Sequence, residues 1–167
     1  MELAEIGKNI LTNCMNVKPG ENVLIVTDDE KYAIGQALYQ AAKLLKAEAM
    51  LMTMPAREVS GQEPPSVVAA AMKAADVVIC PMKTSITHTR AKIEAAEAGA
   101  RIATMPGITE EMFAMGAMTA DYSRVMALTE QVTDLLTNAN TARIEKDGHV
   151  LTLDLRGRRG VSSPGVY

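Results

Sequence analysis

Asp76-Val-Val-Ile-Cys-Pro-Met-Lys-Thr-Ser-Ile-Thr-His-Thr-Arg90 is the stretch on which the reading of this chain turns. Val77 to Cys80 is a short unbroken apolar run, the pattern of a strand buried on both faces of a parallel sheet. Pro81 is expected to end it, because proline cannot donate to a ladder. The densest polar cluster in the sequence follows: Lys83, Thr84, Ser85, Thr87, His88, Thr89 and Arg90. A helical pattern then runs from about Thr89 to Ala98 and stops at Gly99, where a left-handed cap is usual.

Working outward, the same alternation recurs. Toward the N-terminus, Val67, Val68, Ala71, Met72 and Ala75 trace a helix, preceded by a polar loop from Arg57 to Pro65 and a strand from Ala49 to Met54. Ile34, Ala37, Leu38, Ala41, Leu44 and Leu45 form a helix stripe, with Asp28, Asp29 and Glu30 at its favourable N-terminal end. Val23 to Thr27 is the first strand, and Leu3, Ile6, Ile10, Cys14 and Met15 mark an amphipathic helix before it. Beyond Gly99, Arg101 to Thr104 is a fourth strand. Thr109 with Glu110 and Glu111 starts a capped helix, and Asp121 starts a longer one through Val125, Leu128, Val132, Leu135 and Leu136.

Four strands alternating with helices predict an α/β fold, a three-layer sandwich with a mainly parallel, Rossmann-like sheet and right-handed crossovers. The C-terminal pattern changes to period two: Ala142 and Ile144, a turn at Asp147-Gly148, then Leu151, Leu153 and Leu155. That predicts an appended β-hairpin with one apolar face. The expected organisation is an α/β domain over residues 1–140, a hairpin over 141–157 packed on it, and the start of a linker over 158–167. A leucine-faced hairpin needs a covering surface, so the natural polypeptide is expected to continue beyond Tyr167.

Composition narrows the function. The 167 residues are 48% hydrophobic and 22% charged, ordinary for a globular domain. Aromatic content is 3%, Trp is absent and the formal net charge is −3, a poor match to base-stacking, basic nucleic-acid modules. The start of the chain lacks the basic segment and apolar core of a signal peptide, and no apolar run is long enough to span a bilayer. Cys14 and Cys80 have no metal-type spacing and read as buried, reduced thiols of a cytoplasmic protein. The methionines between Met105 and Met118 read as core packing, with a contact surface as the alternative.

In an open parallel sheet, ligands lie beyond the C-terminal strand ends. Thr27-Asp28-Asp29, Pro55-Ala56-Arg57, Ser85 to Arg90 and Met105-Pro106-Gly107 converge there. No G-x-G-x-x-G and no Walker pattern occurs, and carboxylates stand where a nucleotide would place phosphate. His88, flanked by Thr87 and Thr89 at a helix start, is the candidate contact residue; helix capping by either threonine is the structural alternative. No catalytic residue and no metal ligand is assigned: His88 and His149 are far apart, and Ser85 has no nucleophile elbow.

The run Val17 to Ile25, the loop Ser85-Ile86-Thr87-His88-Thr89, the segment Gly99 to Gly107, Asp121-Tyr122 and Gly157-Arg158 resemble the N-terminal half of the thermophilic-type metalloaminopeptidases, leucyl aminopeptidase-like enzymes that include aminopeptidases T and S. The resemblance implies a cytoplasmic, homodimeric hydrolase that removes N-terminal residues from peptides. Its two divalent metal ions, zinc or cobalt-like, belong to a C-terminal half outside this chain. On that reading this part is inert alone and forms one wall of an interdomain cleft, with Ser85, Thr87, His88 and Arg90 set near substrate by their convergence beyond the strand ends. The same fold hosts iron-dependent dioxygenases that cleave dihydroxypyridine rings, and this half does not separate the two chemistries. A free-standing small-anion-binding or assembly domain is a further alternative.

Overall fold

A computed structural model describes residues 3–166, except for the side chain of Ala117. Met1, Glu2 and Tyr167, which belong to the expected first and last segments, lie outside the described residues. The chain divides into a first unit ending at Ala120 and a second spanning Asp121–Val166.

The first unit alternates helix and strand: α1 (Leu3–Asn13), β1 (Asn22–Asp28), α2 (Tyr32–Leu44), β2 (Glu48–Met54), α3 (Ser66–Ala74), β3 (Val77–Met82), α4 (Arg90–Glu97), β4 (Arg101–Pro106) and α5 (Glu110–Ala114), followed by a 3-10 turn at Gly116–Thr119. All strands pair in parallel in the order β2-β1-β3-β4, with Leu24 opposite Met50 and Val78, and Val78 opposite Ile102. The central position of β1 and β3 explains their apolar runs. Every residue of β3 is buried, as are the six residues of β1 after Asn22.

Side-chain alternation divides the core. Leu24, Val26, Val78, Cys80 and Ile102 pack with Val68 and Met72 of α3 and Ala91 and Ala95 of α4. Val23, Ile25, Val77 and Ile79 face the opposite layer, where α1, α2 and α5 gather. Each such buried aliphatic side chain contributes about 1.5–3 kcal/mol. Gly35 lets α2 sit close on β1: a Cβ there would lie 2.9 Å from Thr27 Cγ2. The caps fall where the sequence puts them. Thr89, Thr109 and Asp121 accept from Lys92 N, Met112 N and Arg124 N, and Gly99 follows α4 at φ +105°.

Two strand ends lie beyond expectation: β4 runs past Thr104 to Pro106, and β3 runs past Cys80. β3 continues through Pro81 to Met82. Its ladder with β1 stops at Ile79, whereas its ladder with β4 continues, placing Pro81 opposite Met105. The Pro81 carbonyl accepts from Thr27 Oγ1 on β1 at 2.9 Å, so the polar side of this residue faces a strand that no longer asks it for an N–H.

The second unit contains α6 (Tyr122–Asn138) and an antiparallel hairpin of β5 (Thr141–Lys146) and β6 (His149–Asp154). Asp147 and Gly148 both have positive φ, 51° and 79°, the backbone of a tight two-residue hairpin turn. Ala142 pairs with Leu153 and Ile144 with Leu151, which gathers the apolar side chains on one face. Ile144, Leu151 and Leu153 are exposed, and α6 buries none of its described residues. The parallel sheet flanked by helices and the C-terminal hairpin are therefore the architecture that the sequence predicts. No helix among the described residues is long and apolar enough to cross a membrane.

Candidate functional site

Strand order reverses between β1 and β3, so the crevice beyond their C-terminal ends is where a sheet of this kind places a ligand. The protein's own groups stitch that crevice together. Asp28, the last residue of β1, is fully buried; its carboxylate accepts from Lys31 N at 3.0 Å and from Lys83 N at 2.6 Å. The helix-start role read for Asp28 covers only its bond beside α2. The shorter bond crosses to the end of β3, a contact that local spacing does not reveal. Asp29 accepts from Ala56 N at 3.0 Å, which ties down the start of the β2–α3 loop. Lys83 Nζ meets Glu30 Oε1 at 2.6 Å, and this hydrogen bond and charge hold the Lys83 ammonium above its ordinary pKa.

Beyond Lys83 the chain makes the polar wall. Ser85 Oγ donates to Thr87 Oγ1 at 2.9 Å and accepts from Thr87 N at 3.2 Å. Thr87 Oγ1 also meets Thr104 Oγ1 of β4 at 2.9 Å, which extends the chain of hydroxyls across two strand ends. Ser85 and Thr87 are thus brought together, half-buried, whereas His88 and Arg90 are exposed. His88 makes no hydrogen bond or ion pair among the described residues. Among the described residues the Arg90 side chain pairs with Glu94 one helical turn on, at 3.6 Å.

The amides that start α4 are taken. Thr89 Oγ1 accepts from Lys92 N at 3.3 Å and donates to Ile86 O at 2.7 Å. Glu63, from the loop before α3, accepts from Arg90 N at 2.6 Å and Ala91 N at 3.2 Å. An intramolecular carboxylate therefore occupies the anion position of this helix, and Thr89 is its cap. Sequence reasoning missed Glu63 and Thr104. Their partners lie 27 and 17 residues away, and neither belongs to a spacing pattern. Thr84 Oγ1 and Arg57 Nε, at the ends of β3 and β2, are buried without a hydrogen-bond partner among the described residues.

Two apolar grooves of the first unit lie elsewhere. A groove of about 590 Å³ along β2 is lined mainly by apolar side chains, including Leu24, Met50, Met52 and Ala71. Another of about 440 Å³ lies beside Ile108, Met112, Met115 and Met118. Met112 and Met115 are exposed, so core packing does not account for them. Cys80 is fully buried, and burial pushes its thiol up to about 12, which makes it a packing residue. Among the described residues no three His, Cys, Asp or Glu side chains come together to hold a metal ion. The residues present do not fit an iron or a zinc pair.

No curated protein sequence matches the chain significantly. Several solved structures share its fold, two of them as follows. One is the 2,5-dihydroxypyridine dioxygenase from Pseudomonas putida KT2440, at 18% identity and TM-score 0.68, covering 92% of this chain and 47% of that one. The other is AmpT from Thermus thermophilus, at 12% identity and TM-score 0.59, covering 91% of this chain and 53% of that one. The chain spans about half the length of each. The aminopeptidase resemblance is thus matched at the level of fold. The family model that matches residues 2–167 is that of NicX, 2,5-dihydroxypyridine 5,6-dioxygenase, the chemistry that the sequence held as an alternative. With that match running from the second residue to the last, the chain belongs to the NicX dioxygenase family.

Proposed function

We propose that this chain is the N-terminal domain of a cytoplasmic, ring-cleaving dioxygenase acting on a dihydroxylated pyridine, and that its Ser85–Arg90 segment forms one wall of the substrate cleft. The observation that carries the reading is the family match over residues 2–167. The chemistry of the wall supports it. The linked hydroxyls of Ser85, Thr87 and Thr104 offer donors and acceptors to ring oxygens, and the unengaged imidazole of His88 can donate or accept at the ring edge. Arg90, 87% exposed along its side chain, adds a positive charge at the rim. The domain's part in this scheme is to bind and orient substrate. The iron that such a reaction uses to activate dioxygen is assigned to residues outside this chain.

A second reading, a metalloaminopeptidase acting on peptides with a zinc or cobalt-like pair, has the fold likeness to AmpT in its favour. One comparison separates the two. The longer polypeptide in which we place this chain, supplied with Fe(II), is assayed for dioxygen uptake with 2,5-dihydroxypyridine; supplied with Zn(II) or Co(II), it is assayed for release of a chromophore from an aminoacyl anilide. The proposal expects ring opening with incorporation of both oxygen atoms and no anilide cleavage, and a loss of turnover in T87V and H88A. Anilide cleavage without oxygen uptake overturns it in favour of the second reading.

A further inference from the structure

The loop joining β2 to α3, residues 55–65, has no helix or strand of its own, yet its polar groups converge on one short segment of the site. Gly61 N donates to Ser85 O at 2.8 Å, and Ser60 Oγ accepts from Ser85 N at 3.2 Å. Glu63 accepts from Arg90 N and Ala91 N. The loop is anchored at both ends, by Ala56 N on Asp29 and by buried Pro64. Gly61 turns it at φ +85°, where no L side chain is comfortable. We propose that residues 55–65 are a strap latched by Glu63, and that the strap and residues 85–91 open and close as one cooperative unit. Glu63 is exposed, so its bonds compete with water, and the latch is poised to release well before the sheet unfolds.

The strap bonds both backbone groups of Ser85 and the first amides of α4, so it grips the segment on each side of Thr87 and His88. Glu63 is on this account the positioning residue for those two side chains. That functional meaning rests on the cleft reading above, whereas the latch itself does not.

The test is amide hydrogen exchange on the intact chain, followed by NMR, with no substrate present. A single cooperative unit predicts one shared opening rate for the amides of Gly61, Ser85, Arg90 and Ala91. E63A is expected to speed all four together, by about tenfold or more, and S60A to speed the same four although it removes a different bond. E63Q, which retains one oxygen for Arg90 N, is expected to fall between wild type and E63A. If E63A speeds only Arg90 and Ala91 while S60A speeds only Ser85, the bonds are independent and there is no strap. If E63A speeds the amides of β1 and β3 equally, Glu63 supports the whole fold and the latch is refuted. Neither result touches the dioxygenase reading, which the turnover assay decides separately.

Discussion

Removing the buried carboxylate of Asp28 tests how the site is held. In D28A, Lys83 N loses the acceptor at 2.6 Å, and it has no second one among the described residues. Lys31 N loses one at 3.0 Å but keeps the Asp28 carbonyl at 3.2 Å, so its loss is partial. A part-buried hydrogen bond to a charged acceptor is worth about 1.5–3 kcal/mol, and a weakened second bond adds less, giving a total of about 2–4 kcal/mol. D29A is the control: it removes the same charge from the adjacent position, just past β1, but its bond to Ala56 N is exposed and worth about 1 kcal/mol or less. Urea unfolding followed by far-UV circular dichroism suits a chain without Trp. The expected result is a lower midpoint for D28A than for D29A at unchanged slope, because the surface exposed on unfolding is the same. If D28A costs no more than D29A, the tie between the ends of β1 and β3 is not what holds the polar wall.

Two further outcomes follow from ionisation and burial. Burial raises the Glu21 carboxyl, but the Arg101 hydrogen bond at 2.6 Å, the Lys18 N–H at 2.8 Å and the Arg101 charge outweigh it, leaving it below its ordinary 4.5. A depressed carboxyl stabilises the fold above its unfolded value and loses that contribution as pH falls through the folded one. Stability should therefore decline on acidification from about pH 5, and E21Q should flatten that part of the profile; an unchanged slope would contradict the pairing. Cys80, buried and raised to about 12, should resist alkylation in the native chain at pH 8 and react once the chain is unfolded in urea. Rapid native labelling at Cys80 would show that the β3 core is not closed.

The parts of the fold that the sequence foretold are those written in local pattern. Val23–Val26 and Val77–Cys80 are continuous apolar runs because both strands are central, and the caps at Thr89, Thr109 and Asp121 are single-residue signals. Pro81 departs from its local signal for the opposite reason: whether proline ends a strand depends on which neighbour its polar edge faces, and that is set by register with β1. The site was half visible. Ser85, Thr87 and His88 stood out as a polar cluster after a buried strand. The groups that organise them, Asp28, Glu63 and Thr104, act across 55, 27 and 17 residues, and no periodicity carries such contacts. Glu63 in particular turns an apparent anion seat at α4 into one filled by the chain itself. For Met112 and Met115 the composition pointed to a core, while their exposure leaves an apolar groove instead.

The central claim is that this domain lines the cleft of a dihydroxypyridine dioxygenase. Its most direct measurement is the fate of labelled dioxygen in the longer polypeptide supplied with Fe(II) and 2,5-dihydroxypyridine. The account predicts that both labelled atoms enter the ring-opened product and that T87V and H88A slow this turnover while the far-UV spectrum stays unchanged. Absence of label in any product, with release of an N-terminal amino acid from a peptide under Zn(II) or Co(II), would contradict it.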